Sequence, residues 1–120
     1  MEPLANSVPN AATASRTSNL TKAFMRDILL NQNPDGYYAM CMAIANAPTI
    51  DYAAIKAPFL LIAGDEDKSS SMEGCEKMYS LILTNNKRME VLTHVGHWHC
   101  IEAPDEVGKI LADFVGKVSL

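Results

Sequence analysis

An unbroken run of apolar residues constrains the fold of this chain more than any other sequence feature. The run, Phe59–Ala63, follows Pro58 and ends abruptly at the polar, turn-forming stretch Gly64–Asp67. A strand with one face in water alternates apolar and polar side chains, so an unalternating run indicates burial on both faces. Such strands occur in parallel sheets that carry helices on both faces. The sequence therefore predicts an α/β fold.

The residues after this strand predict a strand–helix–strand unit. Residues 71–83 carry an apolar stripe at helical spacing, behind a Ser70-x-x-Glu73 pattern typical of a helix N-terminus. Arg88–Leu92 can form a second, shorter strand, and Pro104 begins a last helix. One side of that helix carries Val107, Ile110, Leu111, Phe114 and Val118. A crossover of this kind makes the strands parallel, but two parallel strands are a poor independent sheet. We therefore expect the end of a larger α/β domain.

Two short helices are predicted upstream of the first strand. Leu20, Phe24 and Ile28 recur at four-residue spacing, which predicts a helix that ends near residue 31. Asn33-Pro34 then supplies an N-cap and a first helical residue for a second helix. Its predicted buried face consists of Tyr37, Met40, Cys41 and Ile44.

These patterns divide the chain into three segments. Residues 1–18 are rich in Ala, Ser, Asn, Thr and Pro without a sustained period, which predicts a loose N-terminal arm. The predicted helix pair occupies residues 19–50, and the α/β segment occupies residues 51–120.

Charge and composition exclude several classes of function. The 10 basic and 14 acidic residues give a net charge of −4 without a basic cluster, which argues against nucleic acid and anionic membranes as partners. The apolar run is far shorter than the roughly 20 residues of a membrane-spanning helix. The first ten residues lack the features of a secretory signal. An odd number of cysteines, three, without a Cys-x-x-Cys pair favours a reducing, cytoplasmic compartment.

Two groups of residues that can carry chemistry each follow a predicted strand. They are the Gly64–Asp67 turn and the Gly96-His97-Trp98 loop. The carboxyl ends of parallel strands meet at one edge of a sheet, so an acid and an imidazole can meet there. A carboxylate on one imidazole nitrogen fixes the tautomer and stabilises the cation formed when the other nitrogen takes a proton.

These residues resemble a known family. Residues 58–67 resemble the penultimate strand and acid turn of the α/β-hydrolase superfamily, and Val95–Trp98 with Glu102–Val107 resembles its histidine loop and last helix. The resemblance covers residues 55–118 well, and it is most similar to the branch of enol-lactonases and related ester or carbon–carbon bond hydrolases. Residues 19–56 resemble, more weakly, the last helices of the family's lid. The implied fold is the C-terminal part of an α/β-hydrolase, with two parallel strands, flanking helices and remnant lid helices.

The resemblance implies roles for particular residues. It assigns Asp67 as the acid and His97 as the base of a catalytic triad, in a reaction that cleaves esters or lactones without a cofactor. Trp98 is a candidate for lining the substrate pocket, whereas Asp65 and Glu66 are expected to be solvated turn residues.

The chain departs from the family at the nucleophile. The family places it on a Gly-x-Ser-x-Gly elbow before the acid and the histidine, and this pattern is absent from the 120 residues. Loss of the nucleophile removes nearly all the rate enhancement of a triad. We therefore expect the chain to be inactive alone and to act on a small ester or lactone only when an N-terminal half completes it.

Other interpretations remain open from the sequence. Asp67 can be a turn former that caps its own backbone. Zinc binding through His94, His97 and His99, with Cys100 nearby, has no recognised spacing, and we predict no metal site. The rival function is a non-enzymatic domain that binds itself or a complementary chain through the exposed edges of a two-stranded sheet.

Overall fold

A computed structural model of the chain describes residues 1–118, which form two compact units. The first unit comprises residues 1–11 and 18–50, and the second comprises residues 12–17 and the described residues from 51 onward. Among residues 1–118, no helix combines the length and the apolar character needed to cross a bilayer.

The first unit is helical. Its helices are α1 (Glu2–Ala11), α2 (Asn19–Leu30) and α3 (Pro34–Ala45). Helix α1 packs against α2, and Ala5, Pro9, Met25 and Leu29 are buried. The Ser18 hydroxyl caps α2 by accepting the Thr21 N–H at 3.1 Å.

The prediction of a loose arm over residues 1–18 is wrong for α1. Two prolines and several Asn and Ser residues give this segment a weak intrinsic helix propensity. Packing against α2 outweighs that propensity, and the Arg26 Nε–H donates to the Asn6 side chain at 3.0 Å.

The predicted apolar faces of α2 and α3 are also wrong in detail. Leu20 is 80% exposed and Phe24 53% exposed, because α2 instead buries Met25 and Leu29. Helix α3 begins as predicted, with the Asn33 side chain accepting the N–H groups of residues 35 and 36. It has no buried residue, and Met40, Cys41 and Ile44 of its predicted buried face are exposed.

The second unit contains a two-stranded sheet with flanking helices. Its elements are a 3₁₀ turn at Tyr52–Ala54, β1 (Phe59–Gly64), α4 (Met72–Leu81), β2 (Lys87–Leu92), α5 (His99–Glu102) and α6 (Pro104–Lys117). The strands are parallel, in a register that pairs Phe59 with Lys87 and Gly64 with Leu92. The predicted parallel strand–helix–strand unit is therefore confirmed. The short helix α5 lies in a stretch that the sequence left irregular.

A small apolar core lies between the sheet and α6. Leu92, Val95, Ala103 and Val107 are buried together, with Ile62 and Ile110 packed against them. These residues come from β1, β2, the loop after β2, the junction of α5 and α6, and α6, so the core fixes the loop relative to both strands. That loop carries His97.

Helix α4 is capped at both ends. At its N-terminus the Ser71 hydroxyl accepts the Gly74 N–H at 3.2 Å, so the cap is Ser71 rather than the predicted Ser70. At its C-terminus the Lys87 ammonium donates to the carbonyls of Tyr79 and Ile82 at 2.7 Å each. These caps fix the crossover between the two strands.

Candidate active site

The two strands end side by side, which brings their following loops together. Gly64, the last residue of β1, pairs with Leu92, the last residue of β2. Beyond them the Asp65 N–H donates to the Leu92 carbonyl and the Glu66 N–H to the Val95 carbonyl, both at 3.0 Å. The acid turn and the histidine loop therefore leave the same edge of the sheet, as the sequence predicted.

Asp67 and His97 are hydrogen-bonded at this edge. Nδ1 of His97 lies 2.9 Å from Oδ2 of Asp67, although 30 positions separate the two residues. The Asp67 side chain is only 3% exposed, whereas the His97 side chain is 43% exposed. The other Asp67 oxygen, Oδ1, accepts the N–H groups of Ser69 at 2.7 Å and Ser70 at 2.9 Å.

Asp67 is held in its ionised form. Burial by itself raises the pKa of this carboxyl, but the hydrogen bonds from the Ser70 N–H, the His97 ring and the Ser69 N–H together lower the pKa below its usual value. An ionised carboxylate only accepts hydrogen bonds, so Nδ1 of His97 is the donor. This leaves Nε2 as the basic nitrogen of the ring, on the more exposed residue of the pair.

Trp98 lies beside this pair. An open cavity of about 290 Å³ is lined by five consecutive residues, His97–Ile101. Trp98 is half-buried and contributes to the lining, as does the exposed thiol of Cys100. The catalytic roles of Asp67 and His97 and the substrate-binding role of Trp98 stay predictions.

The neighbouring acids, Asp65 and Glu66, lie in the turn after β1, as the sequence predicted, and each also accepts hydrogen bonds from other segments of the chain. Oδ1 of Asp65 accepts the His94 N–H at 2.6 Å. Glu66 accepts the Ser15 N–H at 2.7 Å and the Ser15 hydroxyl at 2.9 Å, and it lies 2.9 Å from Nδ1 of His94. The Ser15 N–H first, and then the His94 ring, lower the pKa of Glu66 to about 2. The contacts of Glu66 with Ser15 could not be predicted, because the composition of residues 12–17 gives no indication of them.

The three histidines have separate partners. His94 is bound to Glu66 and His97 to Asp67, while Nδ1 of His99 lies 3.3 Å from the Gly96 carbonyl oxygen. Among residues 1–118, no group of three or more His, Cys, Asp or Glu side chains is placed to hold a metal ion.

The serines of the acid turn have structural roles. Ser71 caps α4, and the backbone N–H groups of Ser69 and Ser70 bind Asp67. Asp67 is therefore also the turn former of the alternative interpretation, since one of its oxygens holds the turn while the other holds His97.

Comparisons with known proteins identify the fold. No family model and no curated protein matches the sequence. Among solved structures, a thermophilic esterase from Thermogutta terrifontis matches 95% of this chain, with 22% identity and a TM-score of 0.86. The enol-lactonase from Burkholderia xenovorans matches 98% of it, with 25% identity and a TM-score of 0.85. A serine hydrolase involved in carbazole degradation matches 97%, with 18% identity and a TM-score of 0.77.

The chain spans less than half the length of each of these proteins: 43% of the esterase, 45% of the enol-lactonase and 47% of the serine hydrolase. Its mixed α/β architecture, with two parallel strands and flanking helices, corresponds to part of their α/β-hydrolase fold. The predicted fold class is confirmed.

Proposed function

We propose that this chain, which forms part of an α/β-hydrolase fold, supplies the acid and the base of a serine-hydrolase-type triad that cleaves a small ester or lactone. Asp67 is the acid and His97 is the base. The nucleophile comes from a complementary N-terminal half, because the chain has no Gly-x-Ser-x-Gly elbow. Without that half the chain is inactive.

One observation carries the proposal: Nδ1 of His97 lies 2.9 Å from a nearly buried, ionised Asp67 at the carboxyl ends of two parallel strands. A buried carboxylate on Nδ1 fixes the imidazole tautomer and stabilises the imidazolium that forms during acyl transfer. The names of the similar structures, an esterase, an enol-lactonase and a serine hydrolase, agree in reaction type with this arrangement.

The proposed chemistry follows from the two nitrogens of His97. Nε2 accepts the proton of a serine hydroxyl as the serine oxygen attacks the substrate carbonyl carbon, and then delivers that proton to the departing alcohol oxygen. Water releases the acyl group by the same steps. Asp67 stays ionised throughout and stabilises the charged ring. Trp98 and the cavity beside it offer an apolar surface to the substrate, and the reaction needs no cofactor.

The test combines the full chain with an N-terminal α/β-hydrolase half that carries a Gly-x-Ser-x-Gly elbow, and measures hydrolysis of a chromogenic short-chain ester. The chain alone should show no turnover above a His97→Ala variant. The mixture should show turnover that His97→Ala abolishes and that Asp67→Asn lowers by up to about four orders of magnitude, as the equivalent change does in a serine protease.

His94→Asn is the matched control. His94 also binds a carboxylate through Nδ1, in the same loop, and asparagine tolerates its left-handed backbone conformation, φ 57°. We expect this variant to keep the restored activity. Turnover by the chain alone that depends on His97 would contradict the proposed inactivity, and equal loss in both histidine variants would contradict the assigned base.

The second candidate is a non-enzymatic, self-associating domain. Large apolar side chains are exposed in both units, among them Ile44 at 73% and Val115 at 67% exposure. Exposed apolar surface of this kind favours association with another protein surface. The oligomeric state of the chain in solution tests this candidate.

A further inference from the structure

One carboxylate holds both sides of His97. Glu102, the last residue of α5, accepts the Gly96 N–H through Oε2 at 3.2 Å and the Trp98 N–H through Oε1 at 3.1 Å. Oε2 also accepts the Ala14 N–H at 2.8 Å and the Thr17 hydroxyl at 2.6 Å. Hydrogen bonds to an ionised acceptor are about twice as strong as neutral ones.

The N–H between these two, that of His97, is held by residues 12–17, the segment that contains Ala14 and Thr17. The His97 N–H donates to the Ala12 carbonyl at 2.9 Å. A Cβ atom at Gly96 would lie only 2.7 Å from the Ala14 nitrogen and 2.8 Å from the Ala12 oxygen, so the two backbones are in direct contact there. All three consecutive N–H groups of the loop, at residues 96–98, are therefore fixed by Glu102 or by residues 12–17.

We propose that Glu102 is a positioning residue that sets the orientation of His97 and makes it depend on residues 12–17. Asp67 alone restrains only the ring of His97. The direction of its Cα–Cβ bond depends on the peptide groups before and after it. Glu102 holds the following peptide group through the Trp98 N–H and also holds the Gly96 N–H, while the preceding group is held through the His97 N–H by Ala12. The inference rests on the proposed function, in which His97 must reach a nucleophile and a substrate as well as Asp67.

Three other contacts also attach residues 12–17 to the fold, but they do not involve residues 96–98. They distinguish the proposed role of Glu102 from simple attachment of the segment. Glu66 binds Ser15, and Glu106 lies 3.8 Å from Arg16. Neither carboxylate has a hydrogen bond to residues 96–98 among the described residues. Among residues 1–118, only the Glu102 side chain has hydrogen bonds both to residues 12–17 and to residues 96–98. Glu66→Gln and Glu106→Gln are therefore matched controls for Glu102→Gln.

Glutamine at position 102 retains one acceptor oxygen and replaces the other by an NH₂ donor. In either orientation one N–H of residues 96–98 then faces a donor. We expect hydrogen exchange at the affected amide, that of Gly96 or Trp98, to rise by at least about tenfold, because a lost hydrogen bond to a charged group is of that order. The control variants should change exchange at the same amides by less than about twofold.

The experiment measures amide exchange and the His97 ring signals by NMR on the full chain. In Glu102→Gln, the ring Nδ1 proton of His97 should shift or broaden, while the amides of β1 keep their exchange rates. Unchanged rates at residues 96–98 would overturn the proposal. So would an equal rise at these amides and in β1, since that indicates general destabilisation.

If Glu102→Gln does not fold, Thr17→Val decides the question, because it removes only the hydroxyl that Oε2 accepts. Faster exchange at residues 96 and 98 supports the proposal, and unchanged exchange overturns it. These measurements need no nucleophile. A failure of the complementation assay therefore tests the proposed function alone, whereas an unchanged NMR result tests the role of Glu102 alone.

Discussion

Glycine stands at the points where the backbone segments around the site approach most closely. A Cβ atom at Gly64 would overlap the Val95 carbonyl oxygen and lie 2.6 Å from that of Gly96. One at Gly96 would meet the backbone of residues 12–14 at 2.7–2.8 Å. Because backbone atoms cannot move aside like the tip of a flexible side chain, both contacts require the absence of a side chain.

Gly96→Ala should therefore destabilise the protein by about 1–3 kcal/mol, the usual cost of overpacking. Gly108→Ala is the matched control, because a Cβ there meets nothing within 4 Å, inside helix α6. Alanine in a helix interior stabilises by about 0.5–1 kcal/mol relative to glycine. Urea denaturation measures both changes. Equal effects of the two substitutions would contradict the close approach at Gly96.

The lowered pKa of Glu66 predicts how the free energy of unfolding falls at acid pH. Its pKa falls from 4.5 to about 2 on folding, first because of the Ser15 N–H and then because of His94. The unfolded chain therefore takes up this proton at higher pH than the folded chain does. The stabilisation is fully present above pH 4.5 and is lost as the pH falls towards 2.

Glu66→Gln should accordingly flatten the dependence of unfolding free energy on pH between about 4.5 and 2, measured by urea denaturation. Ser15→Ala removes the hydroxyl but keeps the backbone N–H, which is the largest cause of the lowered pKa, so it should flatten the curve only partly. If the unfolding free energy of Glu66→Gln depends on pH as steeply as that of the wild type, the Glu66 carboxyl does not cause the loss of stability at acid pH.

Sequence reasoning finds some residues of the site and misses others for a physical reason. Asp67 and His97 each follow a recognisable strand, so the parallel pairing brings them together as predicted. Glu102 binds Ala14 and Thr17, which are 88 and 85 positions away, and Glu66 binds Ser15 at a separation of 51. No local pattern encodes such pairings, because they depend on where residues 12–17 cross the finished fold.

At the scale of elements, the strands and α6 could be predicted because their apolar residues follow patterns typical of a strand and a helix, although β2 buries only Leu92 and α6 only Val107. Helix α1 could not, since its formation depends on packing against α2 rather than on its own residues. In α2 the four-residue stripe lies one position away from the face that is buried. Many apolar residues along a helix leave its buried face undetermined until its neighbours are known.

The cap of α4 gives a test at this scale. Ser71→Ala should destabilise the protein by about 1 kcal/mol, because the Gly74 N–H loses its acceptor. Ser70→Ala is the matched control, since Ser70 binds Asp67 through its backbone N–H, which alanine retains. Thermal unfolding followed by circular dichroism measures both variants. A larger loss of stability in Ser70→Ala than in Ser71→Ala would show that Ser70 is the cap, as the sequence pattern predicted.

For the molecule as a whole, the small sheet leaves apolar side chains in water. In the second unit Val91 of β2 is 47% exposed, and Leu111 and Val115 of α6 are 45% and 67% exposed. Val115 also lines an apolar cavity of about 270 Å³ with Pro58, Phe114 and Val118. Covering such surface is favourable by about 25 cal/mol per Å². The chain alone should therefore associate with itself.

Light scattering after size-exclusion chromatography tests this expectation. The mass of the chain should rise above the 13.1 kDa of a single copy as its concentration increases. Val115→Glu should reduce the association by placing a charge on the apolar surface, whereas Ala112→Glu, at another exposed position of α6, adds the same charge without removing a large apolar side chain. A single-copy mass at every concentration would contradict the self-associating alternative, and equal effects of both variants would assign the association to net charge. A complementary N-terminal half can also be added to the homo-oligomer. If hydrolysis appears as the homo-oligomer disappears, the second copy and the N-terminal half compete for one surface, because each has to cover the same exposed apolar side chains.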